Sequence, residues 1–226
     1  MAGKLIVFEG VEGSGKTTAI ARSHKWLQSF LPTKQIIVTR EPGGTHLGQS
    51  LRQLLLAETS NRHQTHRPDG EFTQEECPPI SELAELLLYA ADRAQHVEQV
   101  LKPLLASGAI ILCDRYTDST IAYQGYGRGL DRKIIEQLNT LATGGLESDL
   151  TLWLDVDVEV SLPRVKRRGA SDRIEQADMC FHQKVQAGFS QLATAYPHRI
   201  KRVDASLDEL ALQAQIQDIL LNYLGK

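Results

Sequence analysis

The sequence is poor in the residues that many compact sites depend on. Its three cysteines, Cys77, Cys113 and Cys180, are odd in number and form no C-x-x-C pair, which excludes a disulfide framework and a zinc-ribbon site. Cys113, in the apolar run "AIILC", reads as a small buried hydrophobe. The seven histidines are scattered, with no H-E-x-x-H or comparable spacing, so a metal held by the protein alone is not expected. No apolar run approaches the ~18 residues of a membrane span, and the N-terminus enters a strand-like run at once in place of a signal sequence. A soluble, cytoplasmic protein with no membrane partner is expected. Excess positive charge is also missing: 25 Lys+Arg against 28 Asp+Glu leave a net charge of −3. That balance argues against a nucleic-acid partner bound through bulk charge, while a local basic site remains open. What is present is 42% hydrophobic composition, ample for one large core. No internal repeat and no linker set off a second domain, so residues 1–226 read as one domain.

Strand-like apolar runs recur with helical segments between them, at 5–9, 35–39, 109–114, 150–156 and 200–205. Near-continuous apolar strands alternating with helices predict a five-stranded parallel sheet covered on both faces, a three-layer α/β/α architecture. Ligands in such sheets bind beyond the carboxyl ends of the strands. One segment breaks the pattern. Residues 59–79, "TSNRHQTHRPDGEFTQEECPP", are polar, proline-bearing and without periodicity, and predict a long mobile surface loop, with contact to a partner as a second reading.

Directly after the first strand stands "GVEGSGKTT", residues 10–18. Gly10, Gly15, Lys16 and Thr17 complete the pattern Gly-x-x-x-x-Gly-Lys-Thr between a strand and a helix, the P-loop arrangement. Glycines let the chain turn tightly enough for its N–H groups to face anionic oxygens, and the helix beginning near Lys16 adds the positive end of its dipole. Gly10, Val11, Glu12, Gly13, Ser14, Gly15, Lys16, Thr17 and Thr18 are therefore the expected nucleoside triphosphate-binding residues of a P-loop NTPase fold. Lys16 would reach the β and γ phosphates, and the Thr17 hydroxyl would ligate a Mg²⁺ brought with the nucleotide. The chain has no N-K-x-D segment to read guanine and no D-x-x-G switch after the second or third strand, which sets a signalling GTPase aside.

The remaining chemistry lies in arginines and aromatics at strand ends and on helices. "DRY", 114–116, closes the third strand, placing Asp114 where an acidic residue holds Mg²⁺ and Arg115 over the phosphates. An Asp-Arg pair can equally be a structural ion pair; its place on the binding edge favours the functional reading. In "YAADR", Tyr89 and Arg93 lie four apart, so an aromatic face and a guanidinium share one side of a helix, a pairing that suits a nucleobase and its polar edge. Taken alone, Tyr89 would be core. In "DSTIAYQG", Thr120, Tyr123 and Gln124 fall at i, i+3 and i+4 and present a hydroxyl, a ring and an amide together. The basic run "RVKRRGASDR", 164–173, reads either as a solvated face or as a lid over the nucleotide.

Taken in order, "FEGVEGSGKTT", "TREPGGT", "LRQLLL", "LLLYAADRAQHV", "DRYTDSTIAYQGYGRGLD", "SDLTLWLDV" and "RRGASDRIE" resemble thymidylate kinase along nearly the whole chain. The resemblance implies that the triphosphate bound by residues 10–18 is ATP, and it implies phosphorylation of dTMP by MgATP to dTDP and ADP, in dTTP synthesis, by a homodimer. It implies that Tyr89 stacks on thymine, that Thr120, Gln124 and Arg93 surround the base edge, and that Arg52 and Arg115 hold the dTMP phosphate. Tyr123 would press on the sugar, with Glu12 and Glu41 near the sugar hydroxyl and the metal, so that Thr17, Asp114 and Glu41 form the expected metal set. Gly13 stands where one class of the family carries arginine, which implies the bacterial-type class with catalytic arginines in a lid at about 164–175: Arg164, Arg168 and Arg173, acting with Lys16 and Arg115. A deoxynucleoside kinase or another nucleoside monophosphate kinase, and a non-catalytic nucleotide-binding subunit, are the competing readings. Arg52, Arg93 and Arg115 together suit an acceptor that already carries a phosphate.

Overall fold

The computed structural model describes residues 3–56, 63–66, 72–75, 80–167, 169 and 172–225. Strand β1 (Lys4–Glu9) enters the phosphate loop and helix α1 (Lys16–Phe30), followed by β2 (Ile36–Arg40) and α2 (His46–Leu56). Two short strands, β3 (His63–His66) and β4 (Phe72–Glu75), pair antiparallel within the polar segment. Then come α3 (Glu82–His96), α4 (Lys102–Ala106), β5 (Ile110–Asp114), α5 (Thr117–Thr120), α6 (Arg132–Thr143), β6 (Leu150–Asp155), α7 (Val158–Arg167), α8 (Met179–Ala195), β7 (Ile200–Asp204) and α9 (Glu209–Leu224). The main sheet has the order β2-β5-β1-β6-β7, and every pairing in it is parallel. The fold is the expected α/β sandwich, with its five strands within about a residue of the apolar runs that predict them.

Central β1 explains the arrangement. Leu5, Ile6, Val7 and Phe8 are completely buried, because successive side chains point to opposite faces and helices cover both. Ile6 and Phe8 join a large core with Leu152, Leu154, Phe189 and Ile216. Leu5 and Val7 meet Val97, Leu101, Ile111 and Tyr116 on the other side. Fully burying one such side chain stabilises by about 1.5–3 kcal/mol. Four helices start at caps legible in the sequence: Ser81, Asp131, Asp178 and Asp208 each accept a backbone N–H of the first turn, satisfying donors that the helix itself cannot.

Two expectations need correction. Segment 59–79 contains the β3–β4 hairpin, where aperiodic polarity predicts only a loop. The signal is the Pro-Asp-Gly of "RPDGE" between the strands, a turn sequence, flanked by Thr65 and by Phe72 and Thr73, residue types favoured in strands. The rest of 59–79 lies outside the described residues. Second, the stretch carrying Tyr123 and Gln124 is not a plain α-helix. After α5 the chain widens into a π-helical turn over Ile121–Gly127, closed by Arg128 N donating to Tyr123 O at 2.9 Å. Wide turns of this kind concentrate at functional sites.

Candidate active site

The carboxyl ends of β1, β2 and β5 open onto one cleft of about 330 Å³. The loop after β1 uses glycine where nothing else fits. A Cβ on Gly10, at φ +142°, would stand 2.5 Å from Leu154 O. On Gly13, at φ +74°, it would stand 2.3 Å from Ser161 O on α7. The first turn of the loop is thus packed against the helix that leads into the basic run, and α7 excludes an arginine at position 13.

Lys16 is buried and donates Nζ to the carbonyls of Gly10 at 2.9 Å and Val11 at 3.0 Å. Burial, then the neighbouring Arg115 charge, push its ammonium down to about 8. Arg115 follows β5 with φ +70°, a left-handed conformation that costs a non-glycine residue about 1–3 kcal/mol. Its N–H donates to Phe8 O at 3.0 Å, locking the turn to the central strand. The guanidinium then bonds Gly10 O at 3.0 Å, Ser119 Oγ at 3.1 Å and Glu12 Oε1 at 2.5 Å, and lies 4.8 Å over the Tyr123 ring. Glu12 takes the Tyr123 hydroxyl on its other oxygen at 2.6 Å. Burial would raise the Glu12 carboxyl, but Arg115, Lys16 and the Tyr123 hydroxyl outweigh it and hold it below its usual value.

Arg40, Arg52 and Arg115 line the same cleft as Lys16, Thr17 and Thr18. Arg52 donates to Pro42 O at 3.1 Å; burial, then the neighbouring Arg40 charge, lower its pKa, and Asp114 and Asp172 work against them. Asp114 also lines the cleft, and its buried Oδ1 has no hydrogen-bond partner among the described residues.

Elsewhere on the cleft wall, α3 brings Tyr89 and Arg93 together with Thr120, Tyr123 and Gln124. Tyr89 is half-buried on the cleft surface and not a core residue. Arg93 is 2% exposed and held from four sides: Nε by Glu41 at 2.8 Å, Nη1 by Thr120 Oγ1 at 2.8 Å and Asn139 Oδ1 at 2.7 Å, and Nη2 by Tyr116 O at 3.0 Å. The second Glu41 oxygen meets His96 Nδ1 at 2.8 Å, and His96 Nε2 reaches Thr39 Oγ1 at 2.7 Å. Both Glu41 oxygens are therefore engaged within the protein.

A family model described as thymidylate kinase matches residues 8–216. The chain belongs to the thymidylate kinase family. It is 56% identical to the thymidylate kinase of Nostoc punctiforme over 225 residues, covering 99% of this chain and 98% of that protein, and 53% identical to that of Trichormus variabilis with the same coverage. A crystal structure of thymidylate kinase from Ehrlichia chaffeensis has a TM-score of 0.75 at 31% identity, covering 97% of this chain and 100% of that one.

In this family member the structure gathers Glu12, Gly13, Gly15, Lys16, Thr17, Thr18, Glu41, Arg52, Tyr89, Arg93, Asp114, Arg115, Thr120, Tyr123, Gln124 and Arg164 around one cleft. Gly10, Val11 and Ser14 shape the loop from behind it. Arg173 does not line the cleft: it bonds Glu85 through Nη2 and Leu55 O through Nε at 3.2 Å. Arg168 lies outside the described residues.

Several site residues escaped the sequence reading. Glu9, wholly buried under the phosphate loop, accepts from Tyr116 N at 2.9 Å, Ser119 N at 3.1 Å and Ser119 Oγ at 2.5 Å, and burial pushes its carboxyl up to about 7. Asp92 anchors the loop after β2 by accepting from Gly43 N at 3.0 Å. Glu85, Asp92 and His96 sit three or four residues from Tyr89 or Arg93, so the helical spacing that identified those two also pointed to these.

Proposed function

We propose that this chain transfers the γ-phosphoryl group of MgATP to the phosphate of dTMP, yielding ADP and dTDP for dTTP synthesis. The observation that carries this is the composition of one cleft. A phosphate loop, a second group of cations at Arg40, Arg52 and Arg115, and an aromatic and amide wall at Tyr89, Thr120 and Gln124 share it. Two phosphorylated ligands fit such a division, with the nucleobase of the acceptor against Tyr89. Lys16 leaves its loop carbonyls for the β and γ oxygens, where its charge offsets the charge that develops on transfer. Arg115 and Arg52 hold the acceptor phosphate, Glu12 fixes Arg115, and Tyr123 fills the space at the sugar.

Mg²⁺ carried by ATP neutralises phosphate charge when bound. Asp114 Oδ1, unpartnered among the described residues, and the Thr17 hydroxyl, both at the cleft, suit it. Glu41 is better suited to orienting Arg93, because both its oxygens are already paired. The lid arginines Arg164, Arg168 and Arg173 supply transition-state cations. Arg164 lines the cleft already, whereas Arg173 must first release Glu85.

We further read residues 1–226 as a single kinase domain that works as a homodimer in the cytoplasm, where its nucleotide substrates are found. Among the described residues no helix is long and apolar enough to cross a membrane. An ADP-release assay with dTMP, dUMP, thymidine, CMP and AMP tests the reaction. Turnover is expected with dTMP and only weakly with CMP, AMP and thymidine; a preference for CMP or AMP would replace this reading with another monophosphate kinase.

A further inference from the structure

Behind Gln124, on the cleft wall, lies a carboxylate that the phosphoryl-transfer reading leaves without a task. Glu85 lies on α3 one turn before Tyr89, and its side chain is 1% exposed. Oε1 accepts from the Gln124 amide Nε2 at 2.8 Å, and Oε2 accepts from Arg173 Nη2. Arg128 stands beside both oxygens, with Nε and Nη2 each at 3.5 Å. Burial would raise this carboxyl, but the bonds from Arg173 and Gln124 and the charge of Arg128 outweigh it and keep Glu85 below its usual pKa. It is ionised at neutral pH.

An ionised carboxylate has acceptors only. The end of the Gln124 amide that faces Glu85 is therefore its NH₂ group, and the carbonyl is turned the other way. Gln124 is 2% exposed and lines the cleft, and among the described residues nothing donates to its Oε1. The atom left for a base is thus an acceptor. Thymine and uracil carry a donor, N3–H, at ring position 3, whereas cytosine carries a bare nitrogen lone pair there. A carbonyl matches the first and repels the second; the NH₂ end would do the reverse.

We propose that Glu85 is a positioning residue that sets the base selectivity of the cleft, holding the NH₂ end of Gln124 so that the amide carbonyl selects a pyrimidine with a donor at ring position 3. The inference rests on the reading of dTMP as acceptor. A buried acceptor facing another acceptor is left without a bond, and sites built this way reject the wrong partner strongly.

Glu85→Gln is nearly isosteric but can donate as well as accept, so it frees the Gln124 amide to turn. With kcat and KM measured for dTMP and dCMP, the dTMP/dCMP ratio of kcat/KM is expected to fall by about tenfold or more. The loss should appear chiefly as a raised KM for dTMP, with kcat within about threefold of wild type. In a Gln124→Ala background the same change should leave the ratio untouched, whereas a merely structural Glu85 would lower the melting temperature in both backgrounds and leave selectivity alone. Wild-type protein inactive on dTMP overturns the function reading; active wild type with an unaltered ratio in folded Glu85→Gln overturns this inference alone. Should that variant not fold, the wild type still decides. The Gln124 side-chain NH₂ signals are expected to be protected from solvent exchange with and without dTMP, and free exchange in either condition overturns the proposal.

Discussion

Lys16 bonded to its own loop carbonyls has a measurable consequence. With its pKa near 8, the ammonium is about half charged at pH 8, and phosphate oxygens favour the charged form. ATP binding at that pH should therefore take up protons, an uptake that fades toward pH 6.5, where the group is already charged. Calorimetric titration in buffers of different ionisation enthalpy measures it; no uptake at pH 8 would remove Lys16 from the phosphates. Lys16→Ala is expected to lower kcat on the order of 10²–10³-fold with little change in dTMP affinity. Glu9 has the opposite shift. Its carboxyl is raised from 4.5 to about 7, so the folded state binds the extra proton. Its stabilising contribution is complete below pH 4.5 and is lost as pH rises through 7. Glu9→Gln should flatten the fall in melting temperature across that window, recovering on the order of 1–3 kcal/mol at pH 8. Neither residue's environment was equally legible in the sequence. Lys16 is fixed by a local motif, whereas Glu9 depends on Ser119, 110 positions away, and a fold must be known before the two can be paired.

At the scale of elements, α3 is the rail of the proposed base site, carrying Glu85, Tyr89, Asp92, Arg93 and His96 on related faces. Tyr89→Phe should be nearly neutral, and Tyr89→Ala should weaken dTMP binding by about 1–3 kcal/mol, the usual cost of a lost base stack. Its half-buried position predicts little loss of stability, and a large fall in melting temperature with affinity preserved would return it to the core. Arg93→Ala should do both kinds of damage, because it also leaves Glu41 buried and half-paired, a loss of about 3–5 kcal/mol. For the basic run, the Arg164, Arg168 and Arg173 triple alanine variant should stay folded and lose more than tenfold in kcat, over ~1.4 kcal/mol of barrier, with KM for dTMP little changed. A smaller loss moves the catalytic cation to Arg115 or Arg40. Sequence periodicity found α3 and the five sheet strands because continuous apolar runs record burial directly. It failed at Ile121–Gly127, since one extra residue in a turn leaves no periodic trace, and at the β3–β4 hairpin, whose four-residue strands HQTH and FTQE carry a single apolar residue, Phe72, between them.

For the molecule as a whole, exposed apolar residues recur on three neighbouring helices. Leu47 and Leu54 on α2, Leu83 and Leu87 on α3, and Ile134 and Leu141 on the adjoining α6 are between 49% and 80% exposed; α3 packs on both other helices. Rows of this kind suit the proposed homodimer. Light scattering should give twice the chain mass, and the Leu83→Glu, Leu87→Glu double variant should give a monomer with an intact fold. Sheet order has a different consequence, for the chain while it is being made. Strand β1 is made well before its two neighbours, β5, paired from Ile110, and β6, paired from Leu150. A ribosome must therefore deliver the chain through β6 before the phosphate loop has walls on both sides, and nucleotide cannot stabilise the earlier, exposed intermediates. Arrested nascent chains ending before Leu150 should be digested by protease equally fast with and without ATP, and protection by ATP should appear only once β6 has cleared the exit tunnel.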